Sequence, residues 1–270
     1  MLANLKSRFV RVFRQKSRDE IEELKDRVRA FQIGPFGWLC SLPAALFFGR
    51  NLPMLATIYL TDKWGWHWYA QHYEDIFRAS RRKKINLLEI GIGGYEFPHK
   101  GGGSLRMWRA YFPRSNVYGI DIHEKSPHNQ RRIKTFQGSQ VDPAFLDKVA
   151  GEIGKIDVII DDGSHVNEHV IFTFQRLFPL LADDGIYVVE DTQTSYWPEF
   201  GGNEVDRNDS ATGMGYFKSL LDGLNWEEFR GSHEPTYLDL NIKSMTFYHN
   251  LIVIRKGSNN ERACPPPRLF

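Results

Sequence analysis

From Ile85 onward the chain alternates short apolar runs with stretches of helical period, and that alternation restricts the fold more than any other feature. The runs Ile85–Ile90, Asn116–Asp121, Arg132–Phe136, Ile156–Asp161 and Gly185–Glu190 read as strands. Ser104–Phe112 (with Ser104 as N-cap), Pro143–Ile153, Val166–Leu181 and Ala211–Leu224 read as helices. Strands alternating with helices call for a parallel sheet covered on both faces, which continuous apolar strands such as Asp157–Ile160 also demand. Tyr237–Leu240 and Met245–Arg255 read as two more strands. The short turn Asn241–Ser244 between them is too brief for a parallel crossover, so this pair must be antiparallel. The expected fold class is α/β: a mostly parallel seven-stranded sheet, a C-terminal antiparallel hairpin and helices on both faces.

In such a sheet ligands bind beyond the carboxyl ends of the strands. The first strand runs into Glu89-Ile-Gly91-Ile-Gly93-Gly94, where glycines let the backbone approach a ligand closely. A dinucleotide fingerprint would open straight into a helix, but here Tyr95–Gly103 intervene and the third glycine is out of place. The acid before the glycines and the missing pyrophosphate loop suit S-adenosylmethionine better than a nicotinamide. Asp121 ends the second strand, where a carboxylate can take both ribose hydroxyls. Gln137 and Gln140, past the third strand, are candidates for adenine contact or for solvated loop amides.

The fourth strand ends Asp161-Asp162-Gly163-Ser164-His165 and the fifth ends Glu190-Asp191. Up to four carboxylates and an imidazole should therefore meet on one rim, which is costly unless a cation is present. Oxygen ligands point to a hard ion, Mg²⁺. A neutral hydroxyl bound to such an ion becomes more acidic, and His165 is the candidate base for its proton. A rival pattern overlaps: His165-Val-Asn-Glu168-His169 matches H-x-x-E-H, two histidines that could hold zinc from one helical face.

Several segments together carry a resemblance: Thr61-Asp-Lys-Trp-Gly65 with His67-Trp-Tyr and His72-Tyr, Glu89–Tyr95, Gly101–Trp108, Phe136–Gln140, Asp161–His165 and Glu190–Gly202. Over residues 58–257 the sequence resembles the metal-dependent sugar O-methyltransferases of macrolide biosynthesis, of the mycinamicin and tylosin type. The resemblance implies a Rossmann-like class I methyltransferase fold, S-adenosylmethionine and Mg²⁺ as cofactors, and methylation of a sugar hydroxyl. It implies Asp162, Glu190 and Asp191 as metal ligands, and His165 as general base. Thr61, Glu89, Gly91, Ser104, Asp121, Gln137 and Asp161 would hold S-adenosylmethionine, beside Gly93 of the glycine turn. Tyr196 and Trp197 are candidates to stack on a sugar face, or to pack a lid. The macrolide enzymes carry a larger region ahead of this domain; residues 1–60 precede it here, so the sugar is expected on a lipid or polysaccharide as readily as on a macrolide. Rival readings are methylation of an aromatic diol at the same metal site, and a non-enzymatic membrane-recruited scaffold.

Charge and length sort the remainder. Residues 1–31 hold nine Lys/Arg against five Asp/Glu, while the 270-residue chain carries a net of only +2. That is a basic arm on a mildly acidic body, and no nucleic-acid binder. Leu2, Leu5, Phe9, Val12 and Phe13 recur at helical spacing among basic residues, which suits an arm on a partner subunit of a dimer or tetramer. The alternative is peripheral membrane contact through residues 2–18. Ile21, Leu24, Val28 and Phe31 form a short seam. The longest apolar run, Phe36–Gly49, holds fourteen residues and is interrupted by Pro43, short of the ~20 a spanning helix needs. Two cysteines, Cys40 and Cys264, make no disulfide framework and suit a cytoplasmic location. The expected organisation is a helical arm and cap over 1–60, a methyltransferase domain over 61–257 and a loose proline-rich tail over 258–270.

Overall fold

A computed structural model describes residues 18–34 and 36–261. The basic stretch 2–17 and most of the proline-rich tail lie outside the described residues. The described residues begin with α1 (Arg18–Gln32), then three short helices, α2 (Gly37–Cys40), α3 (Leu42–Phe48) and α4 (Leu52–Ile58), and α5 (Tyr69–Phe77). The alternating part follows: β1 (Asn86–Ile90), α6 (Gly103–Tyr111), β2 (Asn116–Asp121), β3 (Ile133–Gln137), α7 (Pro143–Ile153), β4 (Ile156–Asp161), α8 (Asn167–Leu177) and β5 (Leu181–Glu190). The chain continues with α9 (Gly213–Ser219), α10 (Tyr237–Asn241), β6 (Ile242–Tyr248) and β7 (Leu251–Lys256).

The seven strands lie in the order β3-β2-β1-β4-β5-β7-β6. The first five are mutually parallel, and β7 runs antiparallel to both β5 and β6. This is the class I methyltransferase arrangement that the sequence pattern led us to expect. Successive strand residues point to opposite faces, so each strand feeds two cores. Leu87, Val117, Val158, Ile160 and Val188 meet Leu55, Tyr73 and the fully buried Trp108 on one face. Leu88, Ile90, Ile120, Ile159 and Val189 meet Leu146, Phe174 and Phe217 on the other. Residues from Leu52 to Tyr59 already belong to the first core, although they precede the alternating segment.

Several boundaries differ from the sequence reading, each for a local reason. Ser104 is not an N-cap: α6 starts at Gly103 behind Gly102, which has φ +65° and gives no side-chain cap. The expected helix Val166–Leu181 stops at Leu177, two residues before Pro179, and Leu181 instead opens β5. The expected helix Ala211–Leu224 is cut to Gly213–Ser219, capped by Thr212, and followed by a 3₁₀ turn over Asp222–Glu228. The largest correction concerns the last hairpin. Tyr237–Leu240 is not a strand, because Thr236 and Asp239 exchange hydrogen bonds in a capping box and start a helix at Tyr237. The expected single strand Met245–Arg255 is instead both arms of the hairpin, which turn at His249–Asn250 with Asn250 at φ +58°. On α1, Val28 and Phe31 of the short seam are exposed.

Candidate active site

Because β1, β2 and β4 are parallel neighbours, their carboxyl ends deliver Gly91, Asp121 and Asp162 to one edge of the sheet. There they line a cleft of about 720 Å³ with Leu60–Asp62, Gly101–Ser104, Gly138–Gln140, His165, His169, Asp191 and Phe200. Of the residues singled out from sequence, Thr61, Gly91, Gly93, Ser104, Asp121, Gln140, Asp162, His165 and Asp191 stand on its wall. Glu89, Asp161 and Glu190 are buried behind it. Gln137 is exposed, and its amide donates to the Ile122 carbonyl at 3.3 Å. Tyr196 and Trp197 sit partly exposed on the 3₁₀ turns after β5, outside the wall.

The two glycines of the turn have different reasons to be glycine. A Cβ on Gly91 (φ +84°) would come within 2.0 Å of the Asp162 carbonyl, so Gly91 lets β1 and β4 close together. A Cβ on Gly93 (φ +73°) would meet nothing nearer than 4.0 Å, so Gly93 leaves room beside the cleft. The loop that follows is fastened by its carbonyl oxygens. Lys125 Nζ donates to Tyr95, Phe97 and Lys100 at 2.7, 2.9 and 3.4 Å. His128 Nε2 lies 3.1 Å from the Lys100 carbonyl, and Arg106 donates to that of Gly101 at 3.2 Å. Burial, with Arg106 beside it, pushes the His128 imidazole down to about 4. Asp121 accepts from the Ile92 and His123 amides at 3.0 and 2.9 Å, one on each oxygen, which fixes its carboxylate at the cleft edge.

The opposite wall is acidic. His165 and Asp191 both have left-handed backbones, φ +58° and +52°, conformations that non-glycine residues adopt mainly where surrounding structure compels them. His165 Nε2 lies 3.6 Å from Asp191 Oδ2. Asp191 Oδ1 accepts from Tyr69 Oη at 2.6 Å and lies 3.6 Å from His67 Nδ1. Burial acts to raise the Asp191 carboxyl, but the Tyr69 hydrogen bond and the two histidines outweigh it and hold it below the usual range. Asp162, His165 and Asp191 each offer one ligand atom within 4.8 Å of the others, the spacing of a metal site.

Behind this group stands Lys63, which the sequence reading left without a role. It is fully buried, with Nζ 2.8 Å from Asp162, 2.7 Å from Glu190 and 3.6 Å from Glu89. Burial would lower the Lys63 ammonium, but its carboxylates overcome this and hold it well above its ordinary value. Glu190 also accepts from Tyr73 Oη at 2.5 Å, so it is held one side chain back from the rim. Burial pushes Glu89 up to about 7, against the pull of Lys63. It likewise pushes Asp161, which accepts from Tyr187 Oη at 3.1 Å, up to about 7. One ammonium thus faces three acids, with Asp191 beyond, a surplus of acids over cations; burial also raises Asp162 and Glu190, so part of that surplus is held as protons that a bound cation would displace. The oxygens of Asp162 and Asp191 and that surplus fit a hard divalent ion. The zinc reading does not survive: His165 precedes α8 in the left-handed region, so it shares no helical face with His169, whose Nδ1 lies 2.9 Å from Ser164 Oγ.

No protein-family model matches the chain. It is 44% identical over 225 residues to a mycinamicin VI 2''-O-methyltransferase of Micromonospora griseorubida, covering 82% of this chain and 56% of that protein. It is 45% identical over 225 residues to a demethylmacrocin O-methyltransferase of Streptomyces fradiae, covering 82% of this chain and 57% of that protein. The MycE methyltransferase of the mycinamycin pathway, solved with Mg, SAH and mycinamycin VI, matches with a TM-score of 0.78 at 45% identity, over 82% of this chain and 57% of the other. The chain therefore spans a little over half the length of these relatives.

Proposed function

The chain is a homologue of the sugar O-methyltransferases of macrolide and polyketide biosynthesis, and from that kinship we propose that it transfers a methyl group from S-adenosylmethionine to a hydroxyl of a glycosylated small molecule or glycolipid. The observation that carries this reading is the acidic group Asp162–His165–Asp191 on the rim of a cleft whose other wall is the glycine loop. Segment 61–257 is the catalytic unit, with Leu52–Tyr59 built into its core, and the rest of 1–60 and 258–270 flank it.

Gly93 leaves room for the methyl donor, Asp121 would take its ribose hydroxyls, and Thr61 and Ser104 line the same wall. Asp162 and Asp191 would hold Mg²⁺, and Glu190 completes the acidic set from behind. Bound there, the ion supplies a Lewis acid that makes the sugar hydroxyl more acidic and fixes its direction. His165 takes the hydroxyl proton on Nε2, the nitrogen that faces the rim. The resulting imidazolium is stabilised by the Asp191 carboxylate. The freed oxygen lone pair would attack the sulfonium methyl: the C–O bond forms as the C–S bond breaks, and S-adenosylhomocysteine leaves with that electron pair, proximity supplying much of the rate.

No single helix among the described residues is long and apolar enough to cross a membrane. We place the protein in the cytoplasm, as a homo-oligomer whose residues 1–31 contact another subunit or, through 2–18, a membrane surface. Calorimetric titration with S-adenosylmethionine in the presence of Mg²⁺ tests the central claim. Micromolar binding, about −8 kcal/mol, that is lost in Asp121→Ala is the expected result. Absence of binding heat at several temperatures would overturn it.

A further inference from the structure

Helix α3, Leu42–Phe48, is apolar on every side. Ala44, Ala45 and Phe48 pack against the core beneath it. Leu42, Pro43, Leu46 and Phe47 are exposed, the last two to 80% each. Positions 42, 43, 46 and 47 fall on one side of the helix, so its outer face is an apolar strip, and the exposed Arg50 follows in the turn beyond its end. A helix apolar all round is normally covered all round. The far end of this strip is basic. Arg81 Nε donates to the Gly49 carbonyl at 2.6 Å, which ties the turn Arg81–Lys84 to the end of the helix. Arg50 and Arg82 stand close enough to repel Arg81, and Arg82, Lys83 and Lys84 are exposed. The nearby acids are engaged: Asp75 pairs with Arg78 at 2.9 Å, and Glu74 accepts from the Leu52 amide at 3.2 Å.

We infer that this face is a docking surface for an anionic lipid bilayer. Leu42, Leu46 and Phe47 enter the headgroup boundary while Arg50 and the turn Arg81–Lys84 meet lipid phosphates. Charge selects this occupant over two others. A second copy docking by the same face would bring a second set of the same cations to one seam. The chain's first eighteen residues hold six basic side chains and no acidic one, so covering the strip with them would also set cation against cation. An anionic bilayer satisfies the apolar strip and the basic end together. The inference does not depend on the transferase reading, because none of these residues lines the cleft.

The test is flotation of the full-length protein with vesicles of phosphatidylcholine alone and with about 30% phosphatidylglycerol. The protein should float with the anionic vesicles and be released by salt. Leu46→Glu/Phe47→Glu and Arg82→Glu/Lys83→Glu should each weaken binding about tenfold, with unchanged thermal melting and unchanged heat of S-adenosylmethionine binding. Equal flotation with both vesicle types would overturn the proposal, as would wild-type binding by Leu46→Glu/Phe47→Glu. So would loss of all binding on deleting residues 2–17 alone, or conversion of a dimer to a monomer by Leu46→Glu/Phe47→Glu in light scattering.

Discussion

The two walls of the cleft are both gathered around buried cations, but to opposite ends. On the glycine-loop side, Lys125, His128 and Arg106 bind backbone carbonyls, which carry partial charges that cannot ionise or leave. On the rim side, Lys63 faces three carboxyl groups that burial raises, more acid than one ammonium balances. The first arrangement fixes a shape and nothing more. The second holds an excess of acid that an arriving divalent ion can ionise. A wall made for recognition and a wall made for chemistry therefore differ in whether their electrostatics close without the ligand.

Substitutions that act on one wall and spare the other sharpen this contrast. The largest effect is expected from Asp162→Ala, which should lower methyl transfer by about a hundredfold or more while leaving donor binding measurable by calorimetry. Full activity in this variant would remove the rim from the mechanism. Next, Lys63→Met leaves three buried carboxylates without their cation and should cost about 3–5 kcal/mol in urea unfolding. Added Mg²⁺ should recover part of that loss, and a deficit indifferent to Mg²⁺ would break the comparison. Lys125→Met removes three hydrogen bonds that fasten the loop and should cost about 1–3 kcal/mol. It should weaken S-adenosylmethionine binding while the Mg²⁺-induced rise in Tm stays as in the unsubstituted protein. The smallest effect is a pH dependence. His128 titrates at about 4 in the fold, below the ~6.5 of an unfolded histidine. Between those values the unfolded chain takes up a proton that the fold refuses. The stabilisation is therefore complete above about 6.5 and is lost as the pH falls toward 4, by about 2 kcal/mol at pH 5. His128→Gln should flatten that part of the stability–pH curve, and an unchanged slope would show that the loop is held by other means.

The strands and their order of use were legible because apolar runs of fixed length have few alternatives in a doubly covered sheet. The acid pairs were legible for the same reason: they sit at strand ends, and strand ends share an edge. The last hairpin was misread because Tyr237–Leu240 looks like a strand until Thr236 and Asp239 cap it into a helix. Lys63 went unassigned because its partners lie 99 and 127 residues away, and no local period announces such a contact. Its one signal was position, a lone cation between an apolar helix and a run of aromatics inside Thr61–Gly65. Lys125, His128 and Arg106 were invisible for a related reason, since what they bind is main chain and carries no sequence signature. Glu190 was expected at the rim from its neighbour Asp191, yet consecutive strand residues point to opposite faces, and it turns inward to Tyr73.

Lys63 also makes three strands answer to one side chain. Glu89 lies in β1, Asp162 directly follows β4 and Glu190 ends β5, so a single ammonium from the segment between α4 and α5 joins the carboxyl ends of all three. A change at this one position therefore reaches the middle of the sheet along three separate strands.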